Sequence, residues 1–178
     1  MKVSEIMKKR LWIIKILMVI LLCSKSLLSL AQLPTDTLPP DPGAISVYTV
    51  QNMSFGAFAH QNVGGTVTIS NSGSRSSTGD IVPLNYGYTY FQCIFEIEGP
   101  VGTIISIMNG PDATLTGSNG GSISLHLGNS NPASPFSTTV SPPARTQVNI
   151  GGTITIGNNS VSPPGAYTGS FYITFNQQ

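Results

Sequence analysis

Beyond residue 25 the sequence has no lysine, and charge of either sign is scarce throughout. Lys2, Lys8, Lys9, Lys15 and Lys25 all sit in the leader, together with Arg10. From residue 32 onward the basic residues are Arg75 and Arg145, against Asp36, Asp41, Asp80, Glu96, Glu98 and Asp112, which leaves a net charge of −4. Such a chain has no basic footprint for phosphates, which disfavours nucleic acid as a partner. Attraction to anionic lipid is equally poor. Cysteine is limited to Cys23 and Cys93, so the segment after residue 31 cannot form an internal disulfide and must draw its stability from a core. Histidine is limited to His60 and His126. With one thiol they give no zinc spacing, and no Gly-x-Ser-x-Gly elbow offers a nucleophile. No cofactor, metal site or enzymatic activity is expected. Helical periodicity is missing outside the leader.

The leader has its own pattern. Basic residues precede the apolar run Ile16 to Cys23, and Ser29-Leu30-Ala31 offers a small-x-small cleavage site. This is the layout of a secretory signal peptide over residues 1–31. The run is short of the ~20 residues that a membrane-spanning helix needs, so no membrane span is expected after cleavage. An uncleaved anchor is the alternative. Leu21-Leu22 ahead of Cys23 lacks the small residue of a lipid-attachment site. Residues 32–43 carry Pro34, Pro39, Pro40 and Pro42 and read as an extended linker. Within it, Asp36-Thr37-Leu38 matches an O-glycosylation acceptor at Thr37, or is plain solvated tether.

What the remaining sequence, residues 44–178, does contain is alternation. Val148, Ile150, Gly152, Ile154 and Ile156 take every second position. After Pro163-Pro164-Gly165 the pattern resumes as Tyr167, Gly169, Phe171, Ile173 and Phe175. Period-two alternation marks a strand with one buried face, and two such strands around a turn predict an antiparallel pair. Further strands are expected at Ile45–Val50, Val63–Ile69, Leu84–Tyr90, Phe91–Ile97, Val101–Ile107 and Ile123–Leu127, with a short one near Phe136. Asn71-Ser72-Gly73 is a turn signal, and Ser74 to Asp80 reads as a polar loop holding Arg75. The phase changes between Tyr90 and Phe91, which predicts a bulge or bend. Gly64-Gly65-Thr66-Val67-Thr68-Ile69 is echoed by Gly151-Gly152-Thr153-Ile154-Thr155-Ile156, as if two strands held related positions. Eight to ten strands in a single domain fit an all-β antiparallel sandwich or Greek key.

Few residues suggest chemistry. Glu96 and Glu98 share one face of a strand about 6.6 Å apart, which suits a solvated face that discourages edge pairing better than a glycosidase cleft. Asn109, Asp112 and Asn119 fit turns better than a calcium site. Cys93 shares the apolar phase of Phe91 and Phe95 and reads as a buried, inert thiol. His126, between Leu125 and Leu127, points away from the core. Tyr86, Tyr88 and Tyr90 are the candidate binding face: three rings along a strand could stack on sugars or pack on a partner, or else belong to the core.

Met53-Ser54-Phe55-Gly56, then Gly64 to Ile69 with Gly73, Arg75 and Gly79, then Gly151 to Ile156, then Gly165-x-Tyr167-x-Gly169-x-Phe171-x-Ile173-x-Phe175 resemble, in that order, the landmarks of a secreted bacterial domain family of unknown function, number 4402. That family is similar to pilin and spore-coat-protein-U β-sandwiches. The resemblance implies an immunoglobulin-like sandwich in the periplasm, at the cell surface or secreted, and supplies no catalytic residues. Paired cysteines common in pilins are absent, and the proline-rich extension is a poor donor strand. The expected role is that of a secreted or envelope-associated structural or adhesive protein, a fimbria-like subunit included, with self-association or an envelope partner. The alternative is an extracellular module that binds carbohydrate or protein through the tyrosine face.

Overall fold

A computed structural model describes residues 43–178. The expected signal peptide, Cys23 and the expected linker up to Asp41-Pro42, Thr37 included, lie outside the described residues. In chain order the strands are β1 (Ser46–Gln51), β2 (Ser54–Phe55), β3 (Ala57–Ala59), β4 (Gly65–Ile69) and β5 (Arg75–Ser77). Then come β6 (Val82–Leu84), β7 (Tyr90–Phe91), β8 (Cys93–Glu98), β9 (Ile104–Asn109) and β10 (Ala113–Gly117). The last are β11 (Ser122–Asn131), β12 (Phe136–Ser137), β13 (Thr146–Ile156), β14 (Tyr167–Thr168) and β15 (Ile173–Gln177). Every paired ladder between these strands is antiparallel, and no described residue is helical. The all-β expectation holds. The described strands outnumber the expected eight to ten because several are only two or three residues long, where the chain changes partner before an alternating pattern can build up.

The eight-stranded sheet runs β1-β8-β13-β11-β10-β14, with β4 and β5 attached through β13. Its centre is β13. Val148, Ile150, Ile154 and Ile156 put one apolar face of that strand inward, each at most 3% exposed, and burial of such side chains stabilises by roughly 1.5–3 kcal/mol each. One edge of β13 serves two partners in turn. Its first half pairs with β8, ending at Ile150↔Cys93, and its second half pairs with β4, from Gly152↔Ile69 to Ile156↔Gly65. β11 lines the other edge, with a register shift between Leu127 and Ser130. Gly151 stands at the handover. A Cβ there would run into the Ile69 carbonyl oxygen, so only glycine lets the end of β4 approach this closely.

Facing this sheet are a three-stranded sheet, β12-β9-β15, and two small ribbons, β2-β7 and β3-β6. Two cores result. Ile105 packs with Cys93, Ile97, Val148 and Ile150, with Ile107, Phe136 and Phe175 around them. Val67, Leu115, Ile123, Leu125, Ile154 and Ile156 form the other, covered by Phe55, Phe58 and Tyr167. Met53, Phe171 and Ile173 touch both. Met53 follows β1, Phe171 lies between β14 and β15, and Ile173 opens β15, where the chain crosses between layers.

Three expectations are corrected. The closing pair is no hairpin: β14 pairs with β10 at the edge of the large sheet, whereas β15 pairs with β9 in the facing one. Pro163-Pro164-Gly165 breaks the chain, and the later apolar positions serve two layers, so the alternation spans a crossover. The Leu84–Tyr90 strand is interrupted, because Gly87 at φ +80° turns the chain between β6 and β7. Arg75, expected in a loop, lies in β5, paired with β4 across the Asn71-Ser72-Gly73 turn. β1 pairs with β8 inside its own sheet, with Val47 opposite Ile97. The echoed Gly-Gly-Thr segments are antiparallel neighbours.

Candidate functional site

The tyrosines sit at one end of the sandwich, on the connection between β6 and β7. Tyr86 and Tyr88 are 73% and 70% exposed, and Tyr90, at the start of β7, is 43% exposed. They therefore do not fill the core, and they do not share one flat strand face either. Short ladders tie both ends of the connection. β6 holds Val82 to Leu84 against β3, and β7 holds Tyr90 opposite Phe55. Ser54 Oγ donates to the Thr89 carbonyl at 2.8 Å.

Arg75 supports this end from beneath. Its guanidinium carbon lies 4.2 Å from the centroid of the Tyr90 ring, and its Nη1 donates to the carbonyls of Phe55 and Ala57, both at 3.2 Å. Gly56, between those carbonyls, has φ +70°, and a Cβ on it would lie 2.8 Å from that same Nη1. Met53-Ser54-Phe55-Gly56 and Arg75, separate landmarks in the sequence, thus form one contact. Nearby, the Asp80 carboxylate accepts hydrogen bonds from the backbone N–H groups of Val63 (2.9 Å), Gly64 (2.8 Å) and Gln61 (3.2 Å). These donors, Val63 foremost, hold its pKa below the usual carboxylate range.

Between Met53–His60 and Pro163–Phe171 the facing layer is interrupted, leaving a cleft of about 750 Å³. Leu115, Ile123, Leu125 and Ile154 of the large sheet line it, and Phe55, Phe58 and Phe171 form much of its apolar wall. His60 reaches it from the end of β3, and Tyr88 from the rim. No Asp, Glu, Lys or Arg lines it. A second, smaller cleft of about 380 Å³ adjoins it, sharing Met53, Gly169 and Phe171.

Of the other charged residues described, Arg145, Glu96 and Glu98 contact one another and Asp112 contacts His126. Arg145 reaches Glu98 through Nε at 3.1 Å and Glu96 through Nη1 at 3.3 Å, while its guanidinium stacks 3.7 Å over Tyr48. The hydrogen bond to Glu98 is the main cause of its raised pKa. β8 lies between β1 and β13, so these glutamates guard no sheet edge. His126 is exposed as expected, and its Nδ1 lies 2.7 Å from Asp112 Oδ1. The β10–β11 hairpin sets that pair: Ala113 faces Leu125, which puts Asp112 across from His126. Asn109, at the end of β9, donates to the carbonyls of Leu127 and Gly128 in β11, and Asn119, in the β10–β11 turn, to that of Pro164 in the connection before β14. Cys93 is fully buried, and desolvation pushes its thiol up to about 11.

Sequence reasoning located the tyrosines, the buried thiol and the outward histidine. It missed the cleft, His60 as part of it, the clamp made by Arg75 and the bridge made by Arg145. The Asp112–His126 pair could have been found by counting outward from the Asn119-Gly120-Gly121 turn. The Arg75 clamp and the Arg145 bridge depend on hydrogen-bond partners 18 to 49 residues away, and the cleft on segments more than a hundred residues apart. Neither curated proteins nor solved structures give a match. A family model described as domain of unknown function (DUF4402) matches residues 45–176, and the chain belongs to that family.

Proposed function

We propose that the chain is a secreted or envelope-associated structural or adhesive β-sandwich that makes its contacts through the Tyr86–Tyr90 connection. The observation that carries this reading is the exposure of Tyr86, Tyr88 and Tyr90 on a connection fixed at both ends by short ladders. An exposed apolar ring loses little conformational freedom on binding and offers both a flat face and a hydroxyl. Three of them on a secured loop suit contact with a sugar or with a protein surface. The clamp of Arg75 on Tyr90 and on the backbone at Gly56 favours a preorganised surface, which lowers the ordering cost of binding.

Export rests on the leader pattern of residues 1–31. In a fimbria-like assembly this chain would associate through its surface. β1 is already taken by β8, which argues against its donation to another copy. The test is adhesion to extracellular glycans and proteins by the wild-type chain and by a Tyr86→Ala/Tyr88→Ala/Tyr90→Ala variant shown to be folded under the assay conditions. Loss of adhesion in the variant supports the reading. Equal adhesion refutes the assignment to these rings.

A further inference from the structure

Independently of the tyrosine connection, the apolar cleft poses a question of its own. Among the described residues, His60 Nδ1 and Thr146 Oγ1 are the buried polar side-chain atoms without a hydrogen-bond partner. An orphaned buried nitrogen carries a desolvation cost that a partner would remove. His60 also lines the cleft. We propose that the cleft binds a neutral, mostly apolar small molecule that carries one N–H or O–H group, and that the His60 ring turns on binding to bring Nδ1, buried in the free chain, to this donor, the ring proton being on Nε2.

Three observations define that ligand. The volume, about 750 Å³, falls within the ~300–1,000 Å³ of small-molecule pockets. The lining is dominated by aliphatic and aromatic side chains such as Phe55, Phe58, Leu115, Ile123 and Phe171. No Asp, Glu, Lys or Arg lines the cleft, so a charged ligand would lose its hydration without a carboxylate, ammonium or guanidinium to offset it.

The walls suit a small molecule better than an added polypeptide strand. Strand addition needs a row of free backbone donors and acceptors. Pro163 and Pro164 have no N–H, and their carbonyls accept from Tyr167 Oη and Asn119 Nδ2. The Ala166 N–H donates to Ser118 Oγ, and its carbonyl accepts from the Ser118 N–H. From Pro163 to Thr168, which pairs with β10, that wall has its backbone groups largely taken.

The test uses the full chain with N-phenyl-1-naphthylamine, an uncharged fluorophore with two aromatic groups and one N–H. Its N-methylated analogue, which has no N–H, is the control. The expected result is saturable binding of one probe per chain with a Kd below about 100 µM. His60→Leu should weaken it about tenfold, and His60→Gln, which keeps an acceptor, should weaken it less. The N-methyl analogue should bind wild type and His60→Leu alike. Absence of saturable binding to a folded wild-type chain overturns the proposal. So does equal binding of the N–H probe by wild type and His60→Leu. Loss of probe sites as the chain self-associates would also overturn it, and would assign the cleft to a second copy. A Tyr86→Ala/Tyr90→Ala variant should bind the probe like wild type, which separates this site from the proposed adhesive one.

Discussion

The hydroxyls of Thr68 and Thr153 lie 2.9 Å apart across the β4–β13 ladder, at a register where the two residues face each other directly. Thr68 is the second threonine of its Gly-Gly-Thr-Val-Thr-Ile segment and Thr153 the first of Gly-Gly-Thr-Ile-Thr-Ile, as an antiparallel pairing of the two copies requires. The glycines explain why both copies need them. Gly64 and Gly65 lie at one end of the ladder, where added Cβ atoms would strike the carbonyls of Ile156 and Thr78. Gly151 lies at the other end, against Ile69. Gly151→Ala should therefore cost more than about 2 kcal/mol in urea unfolding. Gly102→Ala, at φ +85° but in open space, should cost only about 1 kcal/mol. A Thr68→Val/Thr153→Val cycle should give a coupling of about 0.5–1 kcal/mol.

Arg75 should matter more than an exposed charge does. Arg75→Leu removes the donor to the carbonyls of Phe55 and Ala57 and the contact with Tyr90. The expected loss is about 2–3 kcal/mol. Arg75→Lys should recover less than half of it, because an ammonium on a flexible stem lacks the planar guanidinium that both clamps and stacks. Equilibrium unfolding of the two variants is the check. A wild-type midpoint in Arg75→Leu would remove the clamp from the account.

Acid should loosen the turn before β4. The folded-state pKa of Asp80 lies below its ordinary value, so its contribution to stability is fully present above the unfolded-state pKa of about 4. That contribution fades as pH falls through the lowered folded-state value, when protonation weakens acceptance from Val63, Gly64 and Gln61. Asp80→Asn should flatten this part of the stability–pH curve. Hydrogen exchange at the Val63 and Gly64 amides, followed from neutral pH downward, should show protection lost there first.

Cys93 should be silent to thiol reagents in the folded chain. A thiol at about 11 is ionised at pH 8 to roughly one part in a thousand, and this one is also wholly buried. Labelling by an aromatic disulfide reagent should therefore follow global unfolding, with the same denaturant dependence. Rapid labelling of native protein would contradict the placement of Cys93 between Ile97 and Ile150 in the core.

Local pattern and long-range pairing were legible to different degrees. The apolar phases of β4, β8, β11 and β13 could be read directly, because one residue in two faces the core over five or more residues. Where pieces shrink to two or three residues, as in β2, β3, β6 and β7, no period can express itself. The Tyr167–Phe175 stretch kept its period while passing from one layer to the other, so its pattern was read correctly and its pairing was not. Tyr86, Tyr88 and Tyr90 were visible as residues, but Gly87 takes them off a common strand. The cleft exists only because Met53–His60 and Pro163–Phe171 come together, more than a hundred residues apart in the chain.

The proposed adhesive role turns most directly on one binding comparison. Wild type and the Tyr86→Ala/Tyr88→Ala/Tyr90→Ala variant, matched for folded concentration, would be measured on the same panel of immobilised extracellular glycans and proteins. The account predicts specific wild-type binding that falls by at least about tenfold in the variant while the variant remains folded under the assay conditions. Wild-type binding that survives intact in the variant, or a folded wild-type chain that binds nothing on the panel, would contradict it.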